Sequence, residues 1–315
     1  MIEKCAILGG AGFIGSNLIE VLLDQGSQVL SVDNYCSGTI GHISKYLSNK
    51  NFECASLDIS NTDDLSTLLN GFDTVIHLAS NPDIARAQIE PRIDFLSGTS
   101  LTESVLEASR KSNVKTVLYA SGSGVYGDQG IALLDEKSSV SPISTYGASK
   151  LAGEGLMAAY SHMFEIKTIS FRFANVVGPN QTHGVGFDFL NKLKSNPKHL
   201  EILGDGLQSK PYVHVLDVIS AILIAERESE QISEIYNVSY RDALTVKEIA
   251  DLAVSISGLR VEEVDYRYSG GKRGWRADVP IVRLNSDKIE KIGWRPSYSS
   301  FDAMREALEA NLKSS

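Results

Sequence analysis

Cys5-Ala6-Ile7-Leu8-Gly9-Gly10-Ala11-Gly12-Phe13-Ile14-Gly15 runs from a short buried strand straight into a glycine turn, and Ser16 to Leu23 continues it as a helix. Strand, glycines and helix in that order let backbone N–H groups and a helix N-terminus approach a pyrophosphate, where the helix dipole favours negative charge. Alone, such a turn would serve plain structure equally well. What decides is the next strand, Gln28-Val29-Leu30-Ser31-Val32-Asp33, which ends in an acid about twenty residues past the glycines, where a carboxylate accepts hydrogen bonds from ribose hydroxyls. Asn34, Tyr35, Cys36, Ser37 and Gly38 follow with no Arg or Lys to hold a 2′-phosphate, so the dinucleotide predicted is NAD and not NADP.

Further strand-like runs are Phe52 to Leu57, Thr74 to Ala79, Thr116 to Ser121 and Lys167 to Phe173, separated by helical patterns such as Thr99 to Ser109 and Tyr146 to His162. Continuous apolar strands alternating with helices predict an α/β fold built on a doubly wound parallel (Rossmann) sheet, buried on both faces. Ligands then bind at the carboxyl ends of the strands. Those ends carry Gly9, Gly12, Phe13, Ile14 and Gly15, then Asp33, Asn34, Ser37 and Gly38, then Asp58 and Ile59, Leu78, Ala79 and Ser80, and Ser121, all assigned to the cofactor. His77 reads as a buried structural histidine.

Tyr146-Gly147-Ala148-Ser149-Lys150 places Tyr and Lys four apart, on one helix face and one turn apart. An ammonium roughly 4 Å from the phenol, at an effective dielectric near 20, is worth about 4 kcal/mol, enough to lower a phenol pKa by about three units. Tyr146 is therefore expected to act as a general base near neutral pH.

Beyond Asn175 the alternation weakens into a smaller mixed α/β C-terminal part, with helices expected at Phe187 to Leu193, Thr245 to Ser257, Ser286 to Lys291 and Phe301 to Leu312. The expected division is residues 1–175, with about 212–240, as the NAD-binding domain, and 176–211 with 241–315 as the substrate domain. Lys210, Lys272, Arg273 and Arg276 fall in loops of that part, and cations there suit a phosphorylated ligand in a chain of net charge −9. The same charge and a pI near 5.2 argue against nucleic acid or an anionic membrane as the main partner. Three scattered cysteines read as free thiols, the histidines show no metal-ligand spacing, and no signal peptide or membrane helix is evident, so a cytoplasmic protein is expected.

These stretches together resemble the extended short-chain dehydrogenase/reductase family, and within it the NAD-dependent nucleotide-sugar epimerases and dehydratases. The likeness covers nearly the whole chain: Gly9 to Gly15, Asp33-Asn34, Asp58-Ile59, His77-Leu78-Ala79, Val125 to Asp128, Tyr146 to Lys150, Arg172 to Asn175, Gly204-Asp205-Gly206, Tyr212 to Val215 and Gly274 to Pro280. The resemblance implies a tightly held NAD, a nucleoside-diphosphate sugar bound by the smaller domain, and a homodimer formed through the Tyr146 helix and its neighbour. It places Asn175 and Arg273 at the diphosphate, Lys210 where an arginine is usual, and Val185 and Val282 in the substrate site. Val282 would line the pocket around the C2 substituent, where its small size admits an N-acetyl group.

Two departures bear on the reaction. The family's catalytic Ser or Thr falls on Gly122, leaving Ser123, with Ser121 as runner-up, to supply the hydroxyl; Phe95 replaces a common Asn. Where dehydratases carry acids, this chain has Ser123 and Gly124, so hydride transfer alone remains. The expected activity is 4-epimerisation of a UDP-hexose, glucose/galactose and their N-acetylamino forms, through a transient 4-keto sugar. The alternatives are a dehydratase or reductase of the same family, or a catalytically weak NAD(H)-binding protein.

Overall fold

Seven strands form one parallel sheet that helices cover on both faces, except along the edge strand Phe52–Ser56, where Glu53, Cys54 and Ser56 are exposed. In the computed structural model, which describes residues 2–81 and 86–313, the first half runs β1 (Lys4–Leu8), α1 (Phe13–Asp24), β2 (Gln28–Asp33), β3 (Phe52–Ser56), α2 (Thr62–Leu68) and β4 (Thr74–His77). A long helix follows, begun by α3 (Arg92–Asp94), passed through a π turn at Phe95–Ser100 and completed as α4 (Leu101–Lys111). After it come β5 (Thr116–Gly122), α5 (Thr145–Phe164) and β6 (Lys167–Phe173).

The second half holds β7 (Asn175–Val177), α6 (Val185–Ser195), β8 (His199–Ile202), β9 (Ser209–Lys210), β10 (Tyr212–His214), α7 (Val215–Glu228) and β11 (Ser233–Val238). It closes with β12 (Leu244–Thr245), α8 (Val246–Ile256), β13 (Asp265–Tyr268), α9 (Asp287–Lys291) and α10 (Ser300–Lys313).

The main sheet has the order β11-β6-β5-β4-β1-β2-β3. β1 pairs with β2 on one side and β4 on the other, so Leu8 lies between Val32 and His77 and the chain reverses direction across the sheet at this point. Such a reversal leaves a crevice at the carboxyl ends of β1 and β4, which is where a doubly wound sheet binds its ligand. The fold class expected from the sequence is the one observed.

α7 is absent from the sequence reading. Its apolar face, Val218, Ile219, Ala221, Ile222 and Ala225, joins the core that holds Leu18, Ile19 and Leu22 of α1. The helix α8 does start where its sequence predicts: Thr245 accepts from the backbone N of Glu248 at 3.1 Å while Glu248 reaches back to the backbone N of Thr245 at 2.7 Å. That reciprocal cap satisfies two donors a helix start otherwise leaves open.

A separate core gathers Phe189, Leu190 and Leu193 of α6, Ile249, Ala253 and Val254 of α8, and Met304, Ala307 and Leu308 of α10. Val282, Leu284, Ile289 and Trp294 return instead to the core under the main sheet, and the Trp294 indole donates to the Asp217 carbonyl at 3.0 Å. The two cores meet along a deep cavity that Val282 lines from one and Phe189 and Met304 from the other.

Candidate active site

The cavity, about 1170 Å³, runs from the carboxyl ends of β1 and β2, past β4, β5 and the start of α5, into the second core. At its first end Gly9 has φ +86°, a left-handed backbone that side chains rarely adopt, and an added Cβ would lie 3.0 Å from the Ala79 nitrogen. Gly12 caps α1 with no side-chain hydrogen bond, so the first N–H groups of that helix stay open. Asp33, 8% exposed, accepts from the Ala11 N–H at 3.0 Å and the Tyr35 N–H at 2.8 Å, which fixes its carboxylate beside the glycine turn. An uncapped helix start next to a carboxylate anchored at a strand end matches the donor and acceptor set of a dinucleotide's pyrophosphate and ribose.

Gly12, Phe13, Ile14 and Gly15 line this end together with Asn34 and Ser37. Asp58, Ile59, Leu78, Ala79 and Ser80 continue the lining toward the middle. Gly38 does not face the cavity: its absent Cβ leaves room for Ala11 and the Asp33 carboxylate, each 2.9 Å from where that carbon would stand, so it works by allowing close packing behind Asp33.

Tyr146 and Lys150 both line the middle of the cavity, brought there by the first two turns of α5, whose N-cap Ser144 accepts from the Gly147 N–H at 3.0 Å. Lys150 is 3% exposed and its ammonium donates to the Ala120 carbonyl at 2.7 Å, 5.5 Å from the Tyr146 ring centre and 5.1 Å from that of Tyr119. The expected lowering of the Tyr146 pKa is reversed. Burial pushes this phenol up to about 12, with a hydrogen bond to Ser80 pulling the other way and the Asp94 charge adding to the rise. Burial likewise brings Lys150 down to about 8, opposed by Asp94. In so dry a site desolvation outweighs the attraction that spacing alone predicts. His77 is buried, touches Thr102 at 3.2 Å through Nε2, and is pushed down to about 3 by burial first and by the Lys150 charge second.

The two serines part company. Ser121 is 4% exposed and donates to Glu154 at 2.6 Å, and Glu154 in turn holds Arg172 at 2.7 Å. Arg172 also donates to the Tyr126 hydroxyl at 2.9 Å, which donates to Asn237 at 2.7 Å, so Ser121 lines the cavity but its hydroxyl is committed to a buried network. Ser123 opens a 3₁₀ turn, half-buried on the cavity wall. Gly122 lies between them with extended backbone, and a Cβ there would meet only the Phe173 carbonyl, at 3.9 Å. The bare position therefore has room for a side chain.

Asn175, Val185, Lys210 and Val282 line the far end, whereas Arg273 does not. Its guanidinium sits at the rim, donating to the Asp128 carboxylate at 2.6 Å and the Asp278 carbonyl at 2.6 Å. Lys210 pairs with the Asp278 carboxylate at 2.5 Å. The cations read as diphosphate ligands are thus already engaged, across 145 residues of chain for Arg273 and Asp128. Phe95, at 55% exposure, turns away from the site, and the neighbouring Asp94 turns inward at 1%.

Sequence reading missed Asp94, Glu154 and Arg172. Glu154 could have been found, since Tyr146, Lys150 and Glu154 repeat every four residues along one face of α5. Asp94 carries no such signal.

Residues 5–239 match the NAD dependent epimerase/dehydratase family. The chain is 32% identical to the uncharacterized UDP-glucose epimerase YtcB of Bacillus subtilis (strain 168), over 81% of this chain and 82% of that one. It is 29% identical to the UDP-glucose 4-epimerase of Mycolicibacterium smegmatis, over 97% of each. Among solved structures, a crystal structure of a UDP-galactose 4-epimerase superposes with a TM-score of 0.87 at 35% identity, covering 99% of both chains.

Proposed function

Because the chain belongs to the NAD-dependent epimerase/dehydratase family, we propose that it interconverts the C4 epimers of a nucleoside-diphosphate hexose, with UDP-glucose/galactose and UDP-N-acetylglucosamine/galactosamine as the substrate pairs. One observation carries this reading over the other activities of the family. Ser123 and Gly124 occupy the cavity wall where the chain packs on the start of α5, a Cβ added at Gly124 falling 3.5 Å from the Gly147 Cα, and among the described residues the lining carboxylates are Asp33, Asp58, Asp188 and Asp278, none on that wall. Loss of water from a sugar requires an acid there; epimerisation does not.

The Gly9 to Gly15 turn and Asp33 would hold NAD, whose chemistry there would be reversible hydride acceptance. Tyr146 exchanges the proton of the C4 hydroxyl, the Lys150 ammonium favours its phenolate form, and Ser123 donates to the sugar oxygen. Asn175, Val185 and Lys210 take the nucleotide and sugar, and Arg273 turns from Asp128 to the diphosphate. The lobe around the second core, drawn from 176–211 and 241–315 apart from the Val282 to Trp294 stretch that packs under the main sheet, serves as the substrate domain. Incubating the NAD-loaded protein with each of the four UDP-sugars and resolving the products tests this. Interconversion is expected; a 4-keto-6-deoxy product would replace epimerase by dehydratase, and no turnover by an NAD-binding protein.

Val282 is 8% exposed on the cavity wall, and its size supports acceptance of an N-acetyl group. Val282→Tyr is expected to abolish turnover of UDP-N-acetylglucosamine while sparing UDP-glucose, read as the ratio of kcat/KM for the two. We also infer a homodimer in a reducing, cytoplasmic setting. Ala148, Ala152, Gly155 and Ala159 all lie exposed along the outer face of α5, and the exposed Phe95 and Met163 add apolar surface nearby, at 55% and 71% exposure. A smooth strip of small residues permits close helix packing, and a sedimentation mass of two chains is the expected result.

A further inference from the structure

Four charged side chains lie buried around α5 among the described residues: Asp94, Lys150, Glu154 and Arg172, none more than 4% exposed. Glu154 and Arg172 neutralise each other at 2.7 Å. Asp94 and Lys150 remain. Among the described residues neither forms an ion pair: Lys150 donates to a carbonyl, and the Asp94 oxygens accept from two neutral groups, the Asn81 amide at 2.9 Å and the Thr145 hydroxyl at 2.7 Å. A buried charge without a counter-charge is costly, so two of opposite sign in one dry region stabilise each other even without contact.

Their placement is specific. Asn81 follows Ser80, whose side chain bonds the Tyr146 phenol, and Thr145 is the first residue of α5, directly before Tyr146. Asp94 thereby ties the end of β4 to the first turn of the catalytic helix, and it does not line the cavity. We propose that Asp94 is a positioning residue of the proton-exchanging pair: a buried counter-charge to Lys150 that ties the end of β4 to the Tyr146 turn.

The other groups around Lys150 do not take this part. His77 on β4 is neutral in its buried setting, Tyr119 on β5 and Tyr146 on α5 present uncharged rings, and the Glu154 carboxylate is spent on Arg172 of β6 and Ser121 of β5. Burial is the main cause that brings Lys150 down to about 8, and the Asp94 charge opposes that fall. Remove that carboxylate and Lys150 loses its proton at a lower pH, leaving Tyr146 without a neighbouring cation.

The inference rests on Tyr146 and Lys150 being the working pair, so its test includes a readout without turnover. Lysine labelled with ¹³C at Cε reports Lys150 by NMR in the NAD-loaded protein, its resonance assigned by its loss in Lys150→Ala. In Asp94→Asn the titration midpoint is expected to fall by about one pH unit, and the alkaline limb of UDP-glucose turnover to move down with it. Thr145→Val keeps the carboxylate and cuts the tether; turnover should fall while the midpoint stays. Should Asp94→Asn fail to fold, Asp94→Ser is read in the same way. A midpoint within about 0.2 unit of the unmodified protein in a folded Asp94 variant, or an equal drop in Thr145→Val, overturns the proposal. A protein that turns over no sugar still yields the midpoint, which separates this test from that of the activity.

Discussion

The floor of the cavity and its rim handle charge in opposite ways. At the floor Lys150 is buried and Tyr146 half-buried, with Asp94 buried behind them, and desolvation dominates the proton affinity of the first two, pushing the phenol up to about 12 and the ammonium down to about 8. At the rim, Arg273 and Asp128 are 38% and 30% exposed and joined in a pair that solvent screens. A dry site tunes protonation through what it excludes, so a single buried charge has leverage over its neighbours. A wet site tunes binding by exchange of partners: on the reading proposed above, a diphosphate entering there would replace Asp128 at little net change in charge contact.

Substitutions at the floor should therefore act on turnover and those at the rim on affinity. The largest effect is expected for Tyr146→Phe, a fall in kcat of about a thousandfold with the NAD content of the purified protein unchanged. Ser123→Ala should cost about a hundredfold, the usual loss of one oriented donor. Adding Gly122→Ser to it should recover part of that, since the bare position has room for a side chain. Equal turnover with and without Ser123 would assign the hydroxyl's part to water or backbone.

At the rim the changes are smaller. Arg273→Ala should weaken UDP binding by about tenfold in calorimetry, and Asp128→Asn should strengthen it a few-fold by freeing the guanidinium, both effects shrinking at high salt. A kcat effect of Arg273→Ala larger than its effect on affinity would erase the distinction between the two regions.

The smallest effect concerns stability. His77 titrates at about 3 in the folded chain against 6.5 for the free group, so the unfolded chain binds more protons between those values. Stability therefore rises with pH across that window and is lost as pH falls from 6.5 toward 3. Urea midpoints taken at intervals over this range should show a shallower slope in His77→Gln than in the unmodified protein.

Much of this molecule was legible before folding. Leu8 to Gly15 and Val29 to Asp33 announce the crevice because strand, glycine turn and terminal acid are local features with fixed spacing, and the four-residue interval between Tyr146 and Lys150 needs only a helix to put both on one face. The apolar runs of β1 to β6 likewise declare a sheet covered on both faces.

What the tertiary structure decided was which groups meet and how much water reaches them. Ser121 and Ser123 look equivalent along the chain and both line the cavity, yet only folding commits the Ser121 hydroxyl to Glu154. Arg273 reads as a free cation until Asp128, 145 residues away, is found beside it. The sign of the Tyr146 shift was out of reach for the same reason. Spacing reports the distance between two side chains on one helix, whereas desolvation depends on every segment packed over them, and Asp94, marked by no motif, is one of those segments' contributions.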